Sequence, residues 1–139
     1  MPVKVELLDE GPFASMTSWG VLSRQETAWA HESVRELVGR VSAKGVLVDA
    51  RDTEVTSTPA YSAEVVENFV FALERHLPIA FLPPAGWSEA HYDKVWALVS
   101  ELNVEVAVFG EVTAGRDWLK SAASRAKDRK PVIKKKAAL

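Results

Sequence analysis

The chain has 139 residues, 47% of them apolar, which is enough for one domain with a sizeable core. It has no cysteine, so disulfides, thiolate metal sites and thiol nucleophiles drop out, and no run approaches the ~20 apolar residues of a transmembrane helix. The formal charge of −2 conceals an asymmetry, because Lys127, Arg129, Lys130, Lys134, Lys135 and Lys136 face only Asp128 near the C-terminus, leaving the rest of the chain at about −7. An acidic body makes a poor duplex-binding face, and the basic segment reads as a solvated tail over 127–139 behind a domain over 1–126.

Residues 3–8 alternate Val, Val and Leu with Lys and Glu, Gly11-Pro12 turns the chain, and a second extended run follows over 13–22. This predicts a β-hairpin at the N-terminus, and the same alternation is unlike a signal peptide, which implies a cytoplasmic protein. Ser23 stands three residues before Glu26, the spacing of a capping box, so a first helix starts there. Trp29, Val34, Leu37, Val38 and Val41 give that helix its apolar stripe, and Lys44-Gly45 lies beyond its end.

Val46-Leu47-Val48 is a continuous apolar run closing on Asp49, the pattern of a central strand buried on both faces. Thr58-Pro59 then pairs a cap with proline at the first helical position. Val65, Val66, Phe69, Val70 and Leu73 form the stripe of the second helix, which Phe71 widens. Pro78 precedes a short buried strand, Ile79-Ala80-Phe81-Leu82, and Pro83-Pro84-Ala85-Gly86 stops it. Ser88 caps a third helix with Tyr92, Val95, Trp96, Val99 and Leu102 on one side. A strand over 104–109 and a last helix with Trp118, Leu119 and Ala122 inward complete the chain.

The order β-β-α-β-α-β-α-β-α predicts a single α/β domain with a mixed, mostly parallel five-stranded sheet and helices on both faces. That plan, with Ser18-Trp19-Gly20-Val21-Leu22-Ser23 entering the first helix, Val46-Leu47-Val48-Asp49-Ala50-Arg51-Asp52 leaving it, and Val106-Ala107-Val108-Phe109 followed by Ala114-Gly115-Arg116-Asp117-Trp118-Leu119, resembles the STAS/SEC14-like bacterial domains. These are relatives of the anti-sigma-factor antagonists. The resemblance runs from Val3 to Leu119 and implies a STAS-like fold and a regulatory, non-catalytic role exercised through a protein partner.

In the antagonists a serine after the central strand is phosphorylated within an Asp-Ser-Ser-Gly-like stretch. The corresponding segment here is Thr56-Ser57-Thr58-Pro59-Ala60, which keeps hydroxyls at Ser57 and Thr58 but lacks the acid and the glycine. Phosphate at that helix N-terminus would meet unsatisfied donors and the positive dipole end, whereas the plain reading of Thr58 is a helix cap. SEC14-like relatives imply a second use, an apolar small molecule held between helices and sheet. Trp87, after a parallel strand, is then a stacking candidate, with Phe69, Phe71 and Trp96 as lining or as ordinary core.

Chemistry of other kinds finds little footing. Asp49, Asp52 and Glu54 cluster after the central strand, and Asp49 and Asp52 with Ser57 or Thr58 are the residues an enzyme would use, but Arg51 supplies a local counter-charge and Phe109-Gly110-Glu111 stands where a phosphoacceptor receiver would need lysine. His31, His76 and His91 have no zinc-ligand spacing and are expected at surface or interface positions. There is no nucleophile elbow, no phosphate-binding glycine loop and no basic-aromatic platform for single strands. The expectation is therefore a binding domain without cofactor or metal, and without specific nucleic-acid recognition. Homo-oligomerisation through Trp19, Trp29 or Trp87 is the further alternative.

Overall fold

The computed structural model describes residues 2–8, 12–73 and 76–127. Nine elements follow in the expected order: β1 (Val3–Leu8), β2 (Phe13–Gly20), α1 (Arg24–Val41), β3 (Val46–Thr53), α2 (Pro59–Leu73), β4 (Ile79–Leu82), α3 (Glu89–Leu102), β5 (Val106–Val108) and α4 (Val112–Lys127). The basic segment beyond Lys127 lies outside the described residues.

The sheet has the simplest possible order, β1-β2-β3-β4-β5, with β1 antiparallel to β2 and every other pair parallel. That order decides where the helices go. Right-handed crossovers that always step in the same direction place their helices on the same face. Accordingly α1 and α2 pack against each other, as do α2 and α3, and these three helices cover one face. Among the described elements α4 alone, which follows the last strand and returns across β4 and β3, takes the opposite face.

Strand alternation separates two cores. Ala14, Val46, Val48 and Ile79 point toward Val34, Leu37 and Val38 of α1 and Phe69 and Leu73 of α2. Phe13, Leu47, Ala80 and Leu82 point the other way, toward Leu119. The α4 face is closed tightly. A Cβ on Gly45 would stand 2.9 Å from Leu119 Cδ2 and 3.2 Å from the Pro78 carbonyl oxygen, and one on Gly115 would stand 2.9 Å from Leu47 Cδ1.

Caps behave as their sequences require. Ser23 and Glu26 form a reciprocal capping box at the start of α1, while Ser42 and Asn103 close α1 and α3 in the left-handed conformation. Two strands differ from expectation. β3 runs on to Thr53 instead of ending near Asp49, because β2 continues to pair with it past an irregularity: Thr17 faces Asp49, but Trp19 already faces Asp52. β2 in turn stops at Gly20, whose φ of +65° turns the chain out of the sheet, two residues short of the predicted end. β5 is shorter than predicted, although Ile79 N–H donates to the Glu105 carbonyl and Phe109 N–H to that of Phe81, so the pairing extends past both its ends.

Candidate functional site

The face under three helices is not filled evenly. Toward the N-terminal ends of the parallel strands, Val34, Leu37, Val38, Phe69 and Leu73 pack the space. Toward the C-terminal ends the sheet offers Ser18 and Ala50, and the helices offer Ala30 and Ser62. Side chains this small leave a mainly apolar cavity of about 180 Å³. Val65, Val66, Val95, Trp96 and Val99 form its helical wall, and Met16, Val48, Phe81 and Val106 its sheet wall. Two loops roof it, 54–58 after β3 and 83–88 after β4, at the strand ends where open α/β sheets commonly hold ligands.

The roof is fixed by specific contacts. The Ala85 amide donates to the Arg51 carbonyl at 3.3 Å, tying the second loop to β3. Trp87 packs edge-on to Phe81 and Tyr92, with centroids 5.4 and 5.3 Å away, and lies nearly parallel to His91. His91 is buried instead of lying at the surface. Its Nε2 is 3.0 Å from the Ser57 carbonyl, which can only accept, so Nε2 carries the proton and Nδ1 accepts from the Ser88 hydroxyl at 2.8 Å. The Ser88 amide also reaches Nδ1, at 3.3 Å, while the His91 amide donates to Ser88 Oγ. One histidine therefore completes the cap of α3 and anchors the loop after β3. The Ser88-x-x-His91 spacing carried this signal, with histidine in the place usually taken by Glu or Gln.

The polar groups on the cavity wall are largely paired with one another. Ser18 Oγ and Thr53 Oγ1 are 2.6 Å apart, and Ser57 Oγ and Ser62 Oγ 3.0 Å. At the mouth the Arg24 guanidinium lies 4.4 Å over the Tyr61 ring, joining the N-terminal ends of α1 and α2. His31, from α1, is a second departure from the expected surface histidines: it is only 8% exposed, lines the cavity, and packs its ring on Phe69 at 5.1 Å. Burial pushes its pKa down to about 4, so the imidazole is neutral near pH 7.

The residues singled out from sequence separate into three groups. Trp87, Trp96, Phe69 and Ser57 all line the cavity. Phe71 does not; it is 63% exposed, because residue 71 lies nearly opposite residue 69 around a helix and so faces outward. Thr58 caps α2, with its Oγ1 accepting from the Tyr61 amide at 3.2 Å, and stays outside the cavity.

Asp49 and Asp52 form the third group, away from the cavity. Asp49 points to the α4 side, where its carboxylate accepts from the Arg51 backbone and guanidinium, and Arg51 Nη1 donates onward to the Gly110 carbonyl. Partial burial pushes the Asp49 pKa up, but the hydrogen bonds from Arg51 outweigh it and the net shift is downward. Asp52 is exposed. The sheet thus stands between Asp49 and Ser57, and these residues do not share a cleft. Among the described residues no group of three or more histidines and carboxylates is placed to hold a metal ion. None of the described helices is long and apolar enough to cross a membrane. The chain matches no protein-family model and no curated protein.

Proposed function

We propose that the chain is a non-catalytic, cytoplasmic STAS/SEC14-like binding domain that holds a compact apolar small molecule between its three-helix layer and its sheet. The observation that carries this reading is the cavity, whose wall is mainly apolar and whose roof loops are tied down by the hydroxyl pair of Ser57 and Ser62 and by His91 on the Ser57 carbonyl. Its volume exceeds the roughly 150 Å³ at which an apolar cavity takes up benzene, so one ring or a short branched chain is the fitting size. The absence of a shared cleft for Asp49, Asp52 and Ser57 favours binding over the enzyme alternative.

The experiment is native mass spectrometry of the purified chain after incubation with an organic extract of cells. A retained mass of one small apolar compound is expected, lost on filling the cavity with Val66→Trp. An unchanged mass with every extract fraction would remove the reading.

A second reading, action through a protein partner or a second copy, draws on a different place. Leu7 on the edge strand β1 and Trp29 on α1 are 39% and 45% exposed and border one shallow groove. Sedimentation over a dilution series tests self-association, and a constant monomer mass would leave only a different partner for that groove. A phosphoswitch at Ser57 or Thr58 belongs with this reading. Ser57 is engaged with Ser62 and His91, so its phosphorylation would first have to break the roof.

A further inference from the structure

His31 sets the cavity apart from a plain apolar hole. Its ring lies against Phe69 on one side and the cavity on the other, and it makes no hydrogen bond to any of the described residues. Several hydroxyls of the cavity wall are engaged elsewhere: Ser18 with Thr53, Ser62 with Ser57, and Thr27 with the Ser23 carbonyl. Among the described residues the ring nitrogens of His31 are not fully buried atoms lacking a partner, so the imidazole opens onto accessible cavity space, where it offers one donor and one acceptor when neutral. An apolar residue at position 31 would pack the same α1 stripe, since Val34 and Val38 continue it at helical spacing, but it would present no polar group to the cavity.

Resting on the reading of the cavity as a ligand site, we propose that His31 is its polar anchor, and that the ligand is a compact apolar molecule bearing one uncharged hydroxyl, as in a phenol or a small alcohol. The imidazole is held neutral by burial, so it offers no counter-charge to a carboxylate. Glu54, an exposed acid, lines the cavity near the roof and offsets the Arg24 guanidinium over Tyr61 at the mouth, so the opening carries no net positive charge for an anion. A hydroxyl matches the site because it can donate to one imidazole nitrogen while its hydrocarbon body stays against Phe69 and the valines.

Phenol, toluene and benzoate make the test, since phenol and toluene have nearly the same shape and differ in the hydroxyl. Affinities are measured by NMR titration for the native chain, His31→Leu and His31→Gln, with folding of each variant checked by its amide spectrum. The native chain is expected to bind phenol and toluene but not benzoate. His31→Leu should lower the phenol-to-toluene affinity ratio about tenfold, the loss of roughly one hydrogen bond. His31→Gln, which keeps a donor and an acceptor, should restore part of it, and the His31 ring nitrogens should shift with phenol and not with toluene. An unchanged ratio in His31→Leu, or benzoate binding as well as phenol, would overturn the anchor and leave the cavity reading intact. Failure of both phenol and toluene to bind the native chain would overturn both.

Discussion

The two faces of the sheet are built from the same strands and reach opposite packing solutions. On one, a single helix lies so close that Gly45 and Gly115 leave no room for a methyl group. On the other, three helices surround about 180 Å³ of unfilled apolar space. A fold that packs poorly in general would show voids on both faces, because interiors are normally as dense as organic crystals. The contrast therefore locates the cavity in the choice of side chains at the C-terminal strand ends, where Ser18, Ala30, Ala50 and Ser62 stand opposite one another, and not in the architecture.

The closed face should be the less forgiving one. Leu119, fully buried against Phe13, Leu47 and Leu82, is the keystone of α4. Leu119→Ala is expected to cost about 3 kcal/mol in denaturant unfolding, since its tight surroundings have little freedom to collapse. A loss below about 1 kcal/mol would mean that α4 contributes little and that the faces differ less than their packing implies.

Titration separates the faces in another way. On the cavity face, His31 has a folded-state pKa of about 4 against an ordinary 6.5. Between those values the unfolded chain binds a proton that the folded chain refuses, so stability falls as pH is lowered from 6.5 to 4 and returns in full above 6.5. The loss approaches about 3 kcal/mol at the bottom of the window. Glu54 and Tyr61 are the other titratable groups facing the cavity, so the curve is compared with that of His31→Leu, in which this slope should vanish. Asp49, on the α4 side, has a lowered pKa, and its contribution is present above its ordinary 3.8 and lost only below that value, outside the histidine window. Parallel curves for the native chain and His31→Leu would show that His31 is not held neutral by burial.

A third contrast needs only one methyl group. Gly45→Ala should destabilise by roughly 1–3 kcal/mol, because the new Cβ meets a backbone carbonyl as well as two core side chains. The Pro78 carbonyl cannot retreat without giving up its bond from the Val46 amide at 3.0 Å. Equal stability of Gly45→Ala and the native chain, measured by thermal unfolding, would mean that this face relaxes easily.

Element order and type were legible because each signal was local: alternation in β1, the Ser23-Glu26 box, Thr58-Pro59, and proline on both sides of β4. The length of β3 was not, because Asp49-Ala50-Arg51-Asp52 is polar enough to read as a loop. In the sheet its Ala50 points inward, while Asp49 and Arg51 pair outward beside Gly110. Position 31 was open to a better reading, since His31 falls on the same helical face as Val34 and Val38. The cavity itself had no local signal. It arises where small residues from two strands and two helices, far apart in the chain, meet at one level, and only the register of β2 against β3 brings Ser18 to Thr53. Trp87 reaches the cavity because it follows the end of a parallel strand, a position legible in the sequence; Phe71 faces outward because it lies nearly opposite Phe69 around α2.

The finest comparison adds a methylene on the open face. Val66 lies on α2 between the sheet and α3 and lines the cavity. In Val66→Leu the extra group enters unfilled space, buries further apolar area and displaces no neighbour. Stability is therefore expected to stay level or rise by less than about 1 kcal/mol, opposite in sign to Gly45→Ala. Affinity for toluene should fall at the same time, since the methylene occupies volume the ligand needs. These two readouts distinguish a cavity kept for occupancy from one that is an accident of packing. Gain of stability with loss of binding fits the first. A clear loss of stability would mean that the space closes up in solution, and that the two faces are packed alike after all.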